Sequence, residues 1–145
     1  RENTFVNNTM INCENSLTID ARGTWGGTWT TAVETRLNAL ETGAPYYRDE
    51  LWKNTFPNLY KIKDDHPELP MYNTVKNNVL YNTPEISVVE QAVQNGNVES
   101  SLTVTSKSEF LDFENKIFLP VENGMIYKNL PGFVAAEFDK IGVVR

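Results

Sequence analysis

The stretch "NTFVNNTMIN", residues 3–12, returns seventy residues later as "NTVKNNVLYN", residues 73–82. Five aligned positions are identical, namely Asn3/Asn73, Thr4/Thr74, Asn7/Asn77, Asn8/Asn78 and Asn12/Asn82. Asparagine is uncommon in strands, but it tolerates the left-handed backbone region, and its amide can bond to the same amide in a stacked strand. The repeat therefore predicts that residues 3–20 and 73–90 form equivalent strand–turn–strand segments stacked in register.

Short strands separated by polar turns are typical of solenoids, in which each coil buries its apolar side chains against the next. We therefore predict an all-β solenoid, a parallel β-helix, with a mainly helical insertion and an irregular tail. A single domain, 1–145, would comprise a coil over 1–23, the insertion over 24–72, further coils over 73–130 and a tail over 131–145. The alternative is a pair of unrelated asparagine-rich hairpin turns.

A solenoid of two or three coils lacks stacking neighbours and normally needs more repeats. We therefore expect the chain to be the C-terminal part of a longer protein and to have the N-terminal portion of that protein as a partner. The alternative is a short product that is complete in itself.

The insertion carries two helical patterns. In "TTAVETRLNALETG", residues 30–43, Val33, Leu37 and Leu40 share one face, and Thr31 with Glu34 matches a capping box. "RDELWKNTF", residues 48–56, predicts a second helix, and we expect its Trp52 to be buried with the three aliphatic residues. Further strands are predicted within residues 87–93, 101–106, 110–120 and 125–129.

Composition excludes several classes of function. The formal charge is −6 and the 13 Lys and Arg are scattered, which disfavours nucleic-acid binding. No apolar run has the length of a membrane span. The single cysteine, Cys13, excludes a disulfide within the chain, and Asp64, Asp65 and Glu68 lack the spacing of a calcium loop, so neither a metal nor another cofactor is indicated.

The clearest candidate site is "TIDARGTWGGTW", residues 18–29. Asp20 and Arg22 lie two residues apart at a strand end, which places them on one face in extended geometry. Trp25 and Trp29 would supply ring faces for sugars, and Tyr46 and Tyr47 could line the same groove. The alternative is structural, with Asp20 paired to Arg22 and the tryptophans anchoring the insertion.

Five stretches together resemble a known family. They are "NNTMINCENSLTIDARG" (7–23), "RLNAL" (36–40), "APYYRDELWKNTFPNLYKI" (44–62), "LPMYNTVKNNVLYN" (69–82) and "GFVAAEFDKIGV" (132–143). Their order resembles the C-terminal part of right-handed parallel β-helix proteins found among carbohydrate-active enzymes. The resemblance implies a right-handed helix and a groove beside the "DARG" motif, residues 20–23, which Asp20 and Arg22 would face.

These observations favour a glycoside hydrolase acting on a polysaccharide or oligosaccharide. Asp20 would be its acid, base or nucleophile, Arg22 would orient Asp20 or bind substrate, and the aromatic residues would bind sugar rings. The alternatives are a non-catalytic carbohydrate-binding or adhesive protein and a polysaccharide lyase. The expected location is secreted, periplasmic or cell-surface, with a glycosylation sequon at Asn7 as a minor indication.

Overall fold

The computed structural model describes residues 1–44 and 47–137. The strands there are β1 (Thr4–Val6), β2 (Thr9–Ile11), β3 (Thr18–Ile19), β4 (Thr74–Lys76), β5 (Val79–Tyr81), β6 (Ser87–Val88), β7 (Asn97–Val98), β8 (Leu102–Val104), β9 (Phe110–Asp112) and β10 (Ile117–Pro120). The α-helices are α1 (Thr28–Gly43), α2 (Glu50–Thr55), α3 (Pro57–Tyr60), α4 (Glu90–Gln94) and α5 (Met125–Asn129).

The pairing predicted from the repeat is confirmed. β1 pairs with β4 in parallel, with Thr4 opposite Thr74, and β2 pairs with β5 in parallel, with Thr9 opposite Val79. The strands β7 and β8 add a third layer, which gives two sheets of order β1-β4-β7 and β2-β5-β8, and β3 pairs with β6. The seventy-residue spacing is therefore the register of the pairs β1–β4 and β2–β5.

The asparagines have the two roles that the sequence predicts. Asn7, Asn12, Asn77 and Asn82 have φ between 44° and 58°, in the left-handed region that asparagine adopts more readily than most residues. Amides seventy residues apart also bond to one another, as in the 3.0 Å bond from Asn8 Nδ2 to Asn78 Oδ1. Each turn is thus stabilised both by its own backbone preference and by its counterpart.

The predicted fold class, an all-β solenoid in the form of a right-handed parallel β-helix, is wrong. The described residues form a small α/β fold with five α-helices, and its short strands lie in small parallel and antiparallel sheets, none of them closed or solenoid. The parallel sheets have two or three strands, and β9 and β10 form a separate antiparallel pair. The repeat specifies a local pairing, and the remaining chain forms helices and a hairpin instead of further coils.

The chain divides into two compact units, and the domain boundaries given from sequence stay a prediction. The first unit contains residues 1–2, 19–72 and 88–96, and the second contains 3–18, 73–87 and the described chain from Asn97 onward. The second unit has a buried apolar core formed by Val79, Val104, Phe110, Ile126 and Phe133. This core lies where β5 and β8 meet the hairpin and α5.

Two segments predicted as strands are helices. Residues 90–94 form α4, although β6 precedes them as expected, and residues 125–129 form α5. The first backbone N–H of α5, on Met125, donates to Glu109 Oε2 at 2.8 Å, so a residue distant in sequence satisfies this helix start. The helix buries Ile126, which draws the segment into the core.

The helices of the first unit begin and pack differently from the prediction. α1 begins at Thr28 after Gly27, three residues before the predicted capping box, and no side chain caps it. The side chains predicted to be buried are only half-buried, namely Val33, Leu37, Leu40 and Trp52. The first helix is mostly exposed, because its neighbours cover only part of its apolar face.

We expect Gly23→Ala to destabilise the first unit by about 1–3 kcal/mol, because a Cβ at residue 23 would meet backbone that cannot move aside. It would lie 2.5 Å from the carbonyl oxygen of Glu68. Chemical denaturation followed by tryptophan fluorescence measures the effect. The control is Gly43→Ala, at a helical position with no atom within 4 Å, where alanine should be neutral or stabilising. Equal stability of the two variants would contradict the predicted clash.

Candidate functional site

The candidate site is a turn between a strand and a long helix in the first unit. Asp20 follows β3, residues Arg22–Thr24 form a short 3-10 helix, and α1 begins at Thr28. Gly26 and Gly27 have φ of 78° and 55°, a region that glycine enters without steric cost. These glycines allow the chain to reverse so that both tryptophans lie beside the 3-10 helix.

Asp20 and Arg22 form an ion pair across this turn. Arg22 Nε donates to Asp20 Oδ1 at 2.9 Å and to Oδ2 at 2.8 Å, and Nη2 also donates to Oδ2. The backbone N–H of Arg22 donates to Oδ1 at 3.2 Å. These bonds from Arg22 lower the pKa of Asp20 below its usual value and raise the pKa of Arg22. Asp20 is therefore ionised at neutral pH.

Trp25 and Trp29 form an exposed aromatic pair next to this ion pair. Their ring centroids lie 6.2 Å apart at an interplanar angle of 83°. Trp25 is 61% exposed and Trp29 is 42% exposed, which is unusual for tryptophan. The guanidinium carbon of Arg22 lies 5.9 Å from the Trp25 centroid and 5.0 Å from the Trp29 centroid. The four predicted residues 20, 22, 25 and 29 are thus brought together.

This arrangement supports binding more readily than acid catalysis. Two exposed rings can contact the apolar faces of a ligand, and the N–H groups of Arg22 that do not bond to Asp20 can donate to its hydroxyls. A general acid needs a raised pKa, whereas that of Asp20 is lowered. The pKa of Asp20 is lowered chiefly by the hydrogen bonds that the Arg22 side chain donates to its carboxylate.

Of the two predicted tyrosines, Tyr47 does not extend the site. Tyr47 is only 2% exposed, and its hydroxyl donates to the carbonyl oxygen of Tyr60 at 3.4 Å. The ring packs edge-on against Trp52, with centroids 6.4 Å apart, so its faces are not open to a ligand. Tyr46 lies outside the described residues. Burial of Tyr47 follows from contacts within the insertion that spacing alone does not indicate.

The acidic loop of the first unit is held by protein contacts. Asp65 pairs with Arg1 and accepts a 2.9 Å hydrogen bond from the hydroxyl of Tyr72, and His66 lies 3.5 Å from Glu68. Across the part of the chain that the structure describes, no group of three or more histidine, cysteine, aspartate or glutamate residues is arranged to hold a metal. The side chains of this loop therefore form ion pairs and hydrogen bonds with one another and with neighbouring residues of the protein.

One cleft in the second unit was not predicted. It has a volume of about 840 Å³ and is lined by turn residues that follow β2, β5 and β8, including Cys13, Asn82, Thr83 and Thr105. The backbone N–H of Cys13 donates to the hydroxyl of Thr83 at 3.1 Å. The alignment of Asn12 with Asn82 in the repeat predicts that these two turns lie side by side. The sequence gives no measure of the depth of the cleft that they line.

Comparison of the chain with protein-family models, with curated proteins and with solved structures gives no significant match. The resemblance to carbohydrate-active β-helix proteins therefore stays a prediction for function. None of the helices within residues 1–44 and 47–137 combines the length and apolar composition needed to cross a membrane. The site must be interpreted from its own geometry.

Proposed function

We propose that the chain binds a saccharide at the turn that carries Arg22, Trp25 and Trp29. The observation that supports this most is the exposed, nearly perpendicular tryptophan pair with a guanidinium over both rings. A pyranose ring presents an apolar face of C–H groups and a rim of hydroxyls. The indole faces match the first and the arginine matches the second.

The exposure of the tryptophans supports a binding role over an anchoring role. A tryptophan that anchors a loop normally buries most of its surface, because that burial is its contribution to stability. Trp25 leaves 61% of its surface in solvent. Exposed apolar surface beside polar groups is typical of ligand and partner sites.

The ion pair supports a positioning role for Asp20. Its carboxylate holds the guanidinium through Nε and Nη2, which leaves Nη1 without a bond to Asp20. The planar group is thereby oriented before a ligand arrives, and this lowers the entropic cost of binding. Asp20 is then a positioning residue for Arg22.

A glycoside hydrolase, the class that the sequence favours, receives less support from this geometry. Such enzymes use two carboxyl groups about 5–10 Å apart, one of them a general acid. Asp20 is paired with Arg22 and its pKa is lowered, which suits a general acid poorly. The binding hypothesis needs neither feature. A secreted, periplasmic or cell-surface location belongs to the same proposal.

We expect Trp29→Ala and Trp25→Ala each to weaken saccharide binding about tenfold or more, because each removes one ring face. Titration of tryptophan fluorescence with oligosaccharides of glucose, xylose, galacturonic acid and N-acetylglucosamine identifies the ligand and measures its Kd. The control is Phe56→Ala, which removes another exposed aromatic ring of the first unit. No binding by any oligosaccharide, or equal losses in all three variants, would contradict the proposal.

Asp20→Asn separates binding from hydrolysis. For a binding site, the wild-type chain should release no reducing ends from the bound oligosaccharide, and Asp20→Asn should weaken binding by freeing Arg22. For a hydrolase, the wild-type chain should release reducing ends, and the variant should lose at least about 10²-fold in turnover. The second result would replace the binding proposal with the catalytic one.

A further inference from the structure

The strands β1 and β2 form an open edge of the second unit. Each is the first strand of its parallel sheet, with β4 or β5 on one side and no strand of residues 1–44 and 47–137 paired on the other. The carbonyl of Asn3 accepts from the N–H of Thr74, and that of Asn8 accepts from the N–H of Val79, both at 2.8 Å. Because successive residues of a strand direct their backbone groups to opposite sides, those of Thr4 and Thr9 point away from the sheet.

The same edge leaves apolar side chains partly uncovered. Val75 and Leu80, in β4 and β5, are fully buried between two neighbouring layers. Their partners in register, Phe5 and Met10, are only half-buried. The difference shows that the outer layer has apolar surface that a further strand layer would cover.

At this edge the asparagine pairing leaves one acceptor, Oδ1 of Asn8, without a donor among the described residues. The backbone N–H and the Nδ2 of Asn8 both donate to Asn78 Oδ1 at 3.0 Å. No described residue donates to Oδ1 of Asn8, which stands in the same register position one layer out. A partner with an asparagine at the matching position would complete this acceptor in the same manner.

The edge also lacks the usual protection against pairing. Exposed edge strands commonly carry charged residues, especially lysine, or proline, and these block the approach of another strand. Residues 3–12 contain no charged residue and no proline, whereas the copy at residues 73–82 contains Lys76. The edge is therefore suited to strand addition.

We propose that this edge, defined by residues 3–12, binds in trans an extended partner segment with a strand–Asn–Asn–strand pattern. The partner adds parallel to β1 and β2, covers Phe5 and Met10, and donates to Oδ1 of Asn8. The occupant follows from continuity with the interface already present, since residues 73–82 make the equivalent contacts on the other side of residues 3–12. This proposal is independent of saccharide binding, which uses residues of the other unit.

A labelled, end-capped peptide of sequence NTFVNNTMIN tests the proposal by fluorescence anisotropy with the full chain. We expect saturable binding to the wild-type chain and binding at least tenfold weaker to Thr9→Pro, which removes an outward N–H without removing a bond of the β2–β5 ladder. The control is Thr103→Pro, because the N–H of Leu102 faces β5 and that of Thr103 points outward at the opposite edge. The control should bind the peptide as the wild type does.

A second peptide avoids any effect on protein folding. In it, leucine replaces the sixth residue, which corresponds to Asn8, and we expect about fivefold weaker binding, because the hydrogen bond from Nδ2 is lost while that from the backbone N–H remains. Absence of saturation up to about 1 mM, or equal binding of the two peptides, would overturn the proposal. So would self-association of the chain that Thr9→Pro abolishes, because a second copy would then be the occupant.

Discussion

Phe110→Ala should lower the free energy of unfolding of the second unit by about 3–5 kcal/mol, the largest effect expected of a single substitution in this chain. Phe110 is 3% exposed and begins β9. Its ring centroid lies 6.0 Å from that of Tyr81, 5.7 Å from Phe113 and 6.2 Å from Phe118. Alanine would leave a cavity at the centre of these three rings, and strands on either side of it cannot collapse without breaking their ladders.

Urea denaturation followed by circular dichroism measures this loss. The matched control is Leu111→Ala, at the next residue of the same strand, where the side chain is exposed. Its effect should lie within about 0.5 kcal/mol, because the substitution removes little buried surface. Similar midpoints for the two variants would contradict the position of the core.

Asn78→Leu should cost about 3 kcal/mol, because it leaves polar groups without partners inside the second unit. The fully buried Asn78 accepts two hydrogen bonds from Asn8, and its Nδ2 donates to the carbonyl oxygen of Phe5 at 3.0 Å. Leucine has the same number and branching of side-chain heavy atoms but satisfies none of these groups. The loss therefore combines the broken polar pairing with the tighter fit of two methyl groups at a buried site.

The exposed pair seventy residues apart, Asn12 and Asn82, provides the control. Asn82 donates to Asn12 Oδ1 at 2.8 Å, but both residues are exposed, and water can replace that bond. Asn82→Gly suits the positive φ of 44° and should change stability by less than about 1 kcal/mol. If both variants melt at the same temperature, burial of the amide contributes nothing.

Local features of the fold could be predicted where the determining residues lie close together or repeat. The aligned asparagines predicted the register of β1 with β4 and of β2 with β5, because a left-handed turn and an amide pair both require that residue type. The spacing of apolar residues predicted α1, although Gly27 moved its start. These signals are contained in a single segment or in its copy.

Contacts between distant residues account for what could not be predicted. The segment Met125–Asn129 has a strand-like composition, but Glu109 accepts from its first N–H and the core buries Ile126. The predicted fold class was wrong for a related reason. A repeat specifies which two segments pair, but it does not specify whether further coils stack on them. Sequence periodicity contains no information on either point.

The candidate site likewise has features that the sequence predicted and features that it did not. The pairing of Asp20 with Arg22 was one of two alternatives at a spacing of two residues, and the glycines that follow brought the tryptophans beside it. The burial of Tyr47 depends on Trp52 and Tyr60, which are distant enough in sequence to hide the contact. Site residues within one turn could therefore be predicted together, and those on separate elements could not.

The seventy-residue spacing of the paired segments also bears on the order of folding. Thr74 pairs with Asn97 across 23 residues, whereas it pairs with Thr4 across 70. Loop-closure entropy grows with the logarithm of loop length, so closing the longer loop costs about 1 kcal/mol more. The β4–β7 and β5–β8 pairs should therefore form first in folding. β1 and β2 should pair with β4 and β5 late, after the intervening chain between β2 and β4 has become ordered.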